Sequence, residues 1–328
     1  MNSPDFDLLL HRDPAAGQPE TRRDMDAWRR NVGPPLALDL GTGGGFQGTL
    51  LVLSWNVWIG RGRLEELIGR IRAGAFAAQG AEPDLPFIAL IQEGYRREPS
   101  IPAAANGPAG RVLVAGMGVQ EDLADAARAL GLNLRYAPSM RNSTTQSDRG
   151  NAILSSLPLE GAQAIELPLV LQRRVAVTAV IRLGRLKLRV VSAHLDPRGP
   201  PGHQWSGAAG RAIQAQHLVS SLPAGPVVLG ADLNLGRGRY ERAWRVLRHA
   251  GFSFGIPPTA PGWRHTFHAL PRLVLDYVLI RDPSRTVHRA IVNRLDEHPR
   301  DRGPRVFGSD HHPLLARIEF HPQAGESS

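Results

Sequence analysis

Asp232 and Asn234 stand two residues apart where an apolar run, Pro226-Val227-Val228-Leu229-Gly230-Ala231, comes to its end. A run this short, bounded by proline and glycine and carrying two valines, reads as a buried strand, so the two polar side chains share one face at its tip. A carboxylate beside a carboxamide sets an acceptor next to a donor, which suits holding a water and a phosphoryl oxygen together. The same two residues also suit an Asx turn, in which both only cap backbone groups.

Five more apolar stretches deliver polar groups in the same way. One ends in Ser54-Trp55-Asn56, a second in Gln92-Glu93, and a third in Ser192-Ala193-His194; Asp276 interrupts the apolar segment 273–280, and Ser309-Asp310-His311 precedes the last strand, 314–320. A carboxylate at the end of a buried strand needs a cation, a counter-charge or donors. Glu93 has Arg96 and Arg97 nearby in sequence as alternative partners, and Asp276 has Arg272. His311 suits Asp276 better, because an acid fixes the imidazole tautomer and raises its pKa, which makes it a donor toward a phosphoryl oxygen. Oxygen ligands, several carboxylates, no cysteine and histidines available as donors match magnesium-assisted hydrolysis of a phosphate ester better than a zinc site.

The elements that must position these groups follow from the pattern. Strands are expected at 50–57, 86–91, 133–136, 174–182 and 186–191, the last two turning as a hairpin at Gly184, and helices at 21–30, 64–77, 122–130, 210–222 and 240–249. Residues 94–118 form a loop rich in Pro, Ala and Gly, and residues 139–149 a polar loop whose Arg141 and Arg149, with Asn151 just beyond, are candidate substrate contacts. Leu38-Asp39-Leu40-Gly41-Thr42-Gly43-Gly44-Gly45 resembles the glycine-rich motif of methyltransferases. No helix fits after its glycines, so residues 41–48 read instead as a hairpin-type connection.

The 328 residues are 42% hydrophobic, ample for a core, and carry a net charge of +9, which suits an anionic partner. Lys187 is the only lysine, so the positive charge is almost all arginine, which grips phosphate through two parallel hydrogen bonds. With zero cysteines there is neither a disulfide nor a thiolate nucleophile. The start of the chain lacks the pattern of a signal peptide and no apolar run reaches membrane-spanning length, so a cytoplasmic protein is the expectation.

The ordered series Trp55-Asn56, Gln92-Glu93, 230–234, Leu275-Asp276-Tyr277 and Ser309-Asp310-His311 resembles the endonuclease/exonuclease/phosphatase superfamily, the deoxyribonuclease-I-like fold, over residues 50–320. The resemblance implies an α/β protein, a four-layer α/β/β/α sandwich of two packed mixed β-sheets flanked by helices, with the active site at one rim. It divides the chain into an extension at 1–48, the domain at 49–321 and a tail at 322–328. It assigns Asn56, Glu93 and Asp310 to a Mg2+ site that Mn2+ also suits, Asp232 to the attacking water, Asn234 to the phosphate, Asp276 to orienting His311, and both His194 and His311 to charge stabilisation. His194 lies in Ser192-x-His194-x-x-Pro197, similar to deoxyribonuclease I, sphingomyelinases and inositol-polyphosphate phosphatases rather than to abasic-site endonucleases. The expected activity is phosphodiester hydrolysis in nucleic acid. Its alternatives are a phospholipid phosphodiesterase, an inositol-phosphate phosphatase, and a nucleic-acid-binding protein without catalysis.

Overall fold

Alternation of side chains along the strands decides where each face of this fold points. In Thr49–Asn56 (β3), Leu50 and Val52 pack between two sheets while Leu51, Leu53 and Trp55 pack under helices. In Val227–Asp232 (β10), Val228 joins the core between the sheets and Leu229 and Ala231 face helices on the other side. Both faces are buried, which is why these strands are almost wholly apolar until their last residue.

The computed structural model describes residues 6–9, 19–41, 45–107, 118–198, 207–254, 265–298 and 305–321. One seven-stranded sheet contains Phe6–Leu9 (β1), Glu160–Glu166 (β7), Val175–Leu183 (β8), Leu186–His194 (β9), β10, Asp276–Arg281 (β12) and Phe252–Phe254 (β11), in that spatial order. The other runs Val287–Arg294 (β13), Leu314–Phe320 (β14), β3, Phe87–Arg96 (β4), Asp148–Ser155 (β6), Asn133–Arg141 (β5) and Leu36–Leu38 (β2). Both are mixed: β9 lies parallel to β10 and β3 parallel to β4, among antiparallel neighbours. Leu64–Arg72 (α2) and Leu123–Leu130 (α3) cover one outer face, and Ala208–Ser221 (α4) with Arg242–His249 (α5) the other. The α/β/β/α layering is therefore as anticipated, with Pro19–Arg29 (α1) set against β5.

Several local expectations change. β2 and β3, on either side of residues 41–48, are not hairpin partners, since β2 pairs with β5 at a sheet edge and β3 lies in the interior between β14 and β4; residues 42–44 lie outside the described residues. Residues 139–149 are not a loop but the facing ends of β5 and β6, with the turn confined to 142–147. The helix expected at 64–77 stops at Arg72, where Gly74 turns left-handed at φ 78°. The strands β7 and β13 are additional to those expected, because polar residues interrupt their runs. The part before residue 49, read as an extension with one helix, adds an edge strand to each sheet through β1 and β2. Residues 108–117 of the loop expected at 94–118, and the tail 322–328, lie outside the described residues.

Two glycines allow the site rim to form. Gly94 and Gly150 face each other across β4 and β6 beside an irregularity between Ile91 and Gly94. A Cβ on Gly150 would sit 2.0 Å from the Ala137 carbonyl oxygen, which is backbone and has no side-chain freedom to yield. Gly150→Ala should therefore lower unfolding stability by about 1–3 kcal/mol. Gly69, exposed on α2 with nothing within 4 Å of where its Cβ would stand, is the control: Gly69→Ala should raise stability by about 0.4–1 kcal/mol. Denaturant midpoints of the two variants check this, and a neutral Gly150→Ala would contradict the close approach.

Candidate active site

Period-two alternation carries Asn56, Gln92, His194, Asp232 and Asp276 onto the faces that look across the gap between the sheets, continuing the rows of Leu50, Leu90, Val190, Val228 and Val278. Glu93, next along β4, should by the same rule face the helices. It does not, because β4 slips register between Ile91 and Gly94 and Glu93 takes φ 53°. This bulge turns the carboxylate toward the gap, where Oε1 lies 3.9 Å from His194 Nδ1.

Asp232 is the hub. Its Oδ1 accepts the backbone N–H of Asn234 at 3.0 Å, and its Oδ2 accepts Asn56 Nδ2 at 2.9 Å, with His194 Nε2 at 3.4 Å and His311 Nε2 at 3.9 Å. The Asx turn and the catalytic arrangement thus coexist, one on each oxygen. Burial, reinforced by the charge of Asp276, raises the Asp232 pKa to about 7. A carboxylate so poised is a proton acceptor near neutrality.

The two histidines are set in opposite states. Arg174 lies 3.1 Å from His194 Nδ1, and since a guanidinium only donates, Nδ1 holds a lone pair and Nε2 carries the proton toward Asp232. Burial, then the charges of Arg174 and His311, push the His194 pKa well below its ordinary value, so the ring is neutral. His311 Nδ1 lies 2.8 Å from Asp276 Oδ2. Burial alone would lower its pKa, but Asp276, Asp232 and Asp310 outweigh it and raise the value to about 10. Asp276 accordingly pairs with His311, not Arg272. Ser309 locks this corner, its hydroxyl donating to the Asn56 carbonyl at 2.7 Å and accepting the His311 N–H at 3.0 Å.

Asp310 Oδ1 is buried without a hydrogen-bond partner, and burial, with the charge of Glu93 adding to it, raises the Asp310 pKa to about 6. A buried carboxylate oxygen lacking donors, beside a second carboxylate, is a donor set for a hard cation. Asn56 is committed elsewhere: Oδ1 accepts the Trp58 N–H at 2.9 Å and Nδ2 holds Asp232, so one Oδ1 lone pair remains for a metal. Asn234 likewise spends one amide N–H on the Leu195 carbonyl at 3.0 Å. Asp232, Asp276 and His311 also bring ligand atoms within 4.8 Å of one another, and His311 Nε2 lies 3.9 Å from Asp310 Oδ1 as well.

The three candidate substrate contacts separate. Arg141 is not brought to the site: it is buried, and its guanidinium donates to the carbonyls of Ser143, Pro102 and Ala103, holding loops together. Arg149 lines a small pocket with Glu93, Arg174, Asn151 and His194. Asn151 donates Nδ2 to the Val175 carbonyl at 2.8 Å, tying the two sheets at that wall. Arg174 and Asp196 belong to the site although the sequence pattern does not single them out. Arg174 is held by Asp196 Oδ1 at 3.0 Å while touching His194, and the one signal for it is Asp196 itself, two residues past His194.

Residues 53–311 match the Endonuclease/Exonuclease/phosphatase family. No curated protein matches the chain. Among solved structures, an endonuclease/exonuclease/phosphatase from Beutenbergia cavernae DSM 12333 is 20% identical over 84% of this chain and 72% of its own, with a TM-score of 0.57. The catalytic domain of human Nocturnin is 16% identical over 88% and 97%, with a TM-score of 0.52. Truncated Caenorhabditis elegans TDP2 is 19% identical over 86% and 100%, with a TM-score of 0.50. At these identities the likeness is one of fold.

The contact between Asp276 and His311 makes a direct forecast for protein kept free of metal by chelator. The His311 imidazole should remain protonated at pH 8, since its pKa sits near 10 rather than 6.5. Asp276→Asn removes the main counter-charge, so the same ring should titrate at least one pH unit lower. Imidazole NMR across pH reads both, and a His311 that titrates near its ordinary value in the unaltered protein would contradict the pairing.

Proposed function

Because the chain belongs to the endonuclease/exonuclease/phosphatase family, we propose that it is a divalent-metal-dependent phosphodiesterase that cleaves a nucleic-acid backbone by in-line attack of water. The observation that carries this reading is the hub at Asp232, where an acceptor of pKa about 7 sits between a neutral histidine donor and a protonated one. Water attack on phosphorus needs a base for the water proton, positive charge on the phosphoryl oxygens and a proton for the leaving oxygen. Asp232 accepts the water proton. His194 donates Nε2–H to a phosphoryl oxygen, and the His311 imidazolium, kept charged by Asp276, stabilises developing charge and supplies a proton on the leaving side. The products are a phosphate monoester and an alcohol, with no covalent intermediate.

Glu93 and Asp310, with the remaining lone pair of Asn56, would hold the metal, and Mg2+ fits an all-oxygen donor set. When bound it supplies Lewis-acid stabilisation of phosphoryl charge. Arg149 supports an anionic substrate: it is buried, its hydrogen bond goes to the neutral Asn142 Oδ1 at 3.3 Å, and it lies in the pocket of Glu93 and His194. Arg96, Arg173 and Arg211 are ion-paired to Asp148, Glu166 and Glu241, and the buried Arg141 is spent on three carbonyls. Arg149 has Glu93 in the same pocket but no acid within ion-pair distance among the described residues, so its guanidinium is available to a phosphate. The net charge of +9 favours a polyanion, which supports nucleic acid over a phospholipid or an inositol phosphate, although both of these are anionic too.

The experiment is a cleavage screen of the purified protein against duplex and single-stranded DNA, RNA, sphingomyelin vesicles and inositol phosphates with Mg2+. Nucleic acid should be cut, and EDTA or Glu93→Gln should lower the rate by about 10²-fold or more. Arg149→Ala should weaken substrate binding and flatten its salt dependence by about one phosphate contact, whereas Arg141→Ala should reduce stability and leave the salt slope unchanged. Cleavage confined to sphingomyelin or inositol phosphates, or full activity in EDTA, would overturn the assignment.

A further inference from the structure

Beside the phosphoester site lies a second cluster that the proposed reaction does not use. His265, His268 and His312 are all buried, at 7%, 4% and 1% exposure. His268 Nδ1 lies 3.0 Å from His312 Nε2 and 3.4 Å from His265 Nε2, and the three ligand atoms fall within 4.8 Å of one another. We propose that these three histidines bind a first-row transition-metal ion of the Zn2+ type, at a site separate from the oxygen donors Glu93 and Asp310.

The spacing is the first argument. Two nitrogens each about 2.0 Å from a tetrahedral ion stand roughly 3.3 Å apart, and the two separations from His268 Nδ1, 3.0 and 3.4 Å, bracket that figure. The tautomer of His312 is the second. Its Nδ1 faces two acceptors, the Leu295 carbonyl at 3.3 Å and Asp296 Oδ1 at 2.9 Å, so Nδ1 keeps the proton and the Nε2 lone pair points into the cluster. Asp296 is itself paired to Arg294 at 2.9 Å. A carboxylate behind a histidine, with its other nitrogen directed at a common point, is how metal-binding imidazoles are oriented and made more basic. Proton counting is the third. With His312 Nε2 a lone pair, a single proton on His268 Nδ1 can satisfy one of its two nitrogen neighbours but not both, whereas one cation satisfies all three. Ring stacking accounts for the planes, His265 over His268 at 28° and 5.5 Å, but not for nitrogens that converge.

The donor type selects the metal. Neutral imidazoles favour zinc, cobalt, nickel or copper over magnesium, so the two sites differ in chemistry although His311 and His312 are adjacent in sequence. The ion would act as a brace. It would fasten the segment around His265 and His268 to the one carrying Asp310 and His311, reinforcing the His268 N–H bond to the Asp310 carbonyl and the His312 N–H bond to the Thr266 carbonyl, both 2.7 Å. Phe267, between the two ligands, packs its ring 5.1 Å from that of His311. Three protein ligands leave one position for water.

The test uses the full-length, tag-free, metal-stripped protein in excess Mg2+, titrated with Co2+ as a visible reporter and with Zn2+. One equivalent of Co2+ should give the absorption of a tetrahedral nitrogen site, one equivalent of Zn2+ should displace it, and Zn2+ should raise the melting temperature by several degrees. Imidazole NMR of the unaltered protein should show three ring systems shifting together at that equivalence point, a readout that requires no variant. His268→Ala should abolish the Co2+ band and the thermal shift. No saturable band, no thermal shift, or fewer than three imidazoles responding would overturn the site and leave the cluster as packing alone, as would a band that survives in folded His268→Ala. None of these readouts involves hydrolysis, so they stand or fall independently of the proposed reaction.

Discussion

A carboxylate cannot end a strand buried on both faces unless donors meet it there, and Asp232 is that carboxylate. Its two oxygens draw on β3 through Asn56, on β9 through His194, on the turn after β10 through the Asn234 N–H, and on the segment before β14 through His311. Strands of both sheets must therefore end at the same level for Asp232 to be tolerated. Removing such donors leaves a buried charge with a cost of several kcal/mol in principle, so the site and the packing of the two sheets are one problem. The raised pKa of Asp232 is the consequence: the donors reduce the cost of burial without cancelling it, and what remains is basicity near neutral pH.

Most of the constellation follows from the two-residue period of a strand. Once Leu50, Leu90, Val190, Val228 and Val278 are assigned to the core between the sheets, Asn56, Gln92, His194, Asp232 and Asp276 must look into the same gap. The exception is Glu93, the residue proposed to hold the metal. Glu93 has the wrong parity and reaches the gap only through the bulge at the end of β4, just before Gly94 pairs with Gly150. Moving a single residue out of register thus brings the Glu93 carboxylate to the His194 side of the gap without disturbing the rest of the strand.

That division explains what was legible in the sequence. The runs ending in Asn56 and Asp232 were readable because burial on both faces leaves almost no polar residue until the tip, the strand ending in His194 because its apolar residues alternate, and the pairing of Asp276 with His311 because an acid inside an apolar strand demands a partner. The bulge at Glu93 has no local signature beyond its glycine. Arg141 and Arg149 look alike in sequence, and only tertiary contacts separate them: loop carbonyls consume one guanidinium, while the other is left in the pocket with an amide oxygen. Strands β7 and β13 escaped because polar residues on a half-covered face blur the apolar run, and β1 and β2 because three or four residues carry no period at all. Arg174 was invisible for a different reason. Its role depends on reaching His194 from the neighbouring strand, a distance of twenty residues along the chain and 3.1 Å in space.

Asp232 is proposed as the base rather than only as a structural anchor, and Asp232→Asn separates the two roles. The amide keeps the size and can still receive the Asn234 N–H, but it cannot take a proton. Single-turnover hydrolysis of the preferred phosphodiester by Asp232→Asn, with substrate affinity measured in parallel, should show the chemical step slowed by about 10²–10⁴-fold with binding little changed. An unaltered chemical rate in a folded variant that binds substrate normally would contradict the central role assigned to this carboxylate.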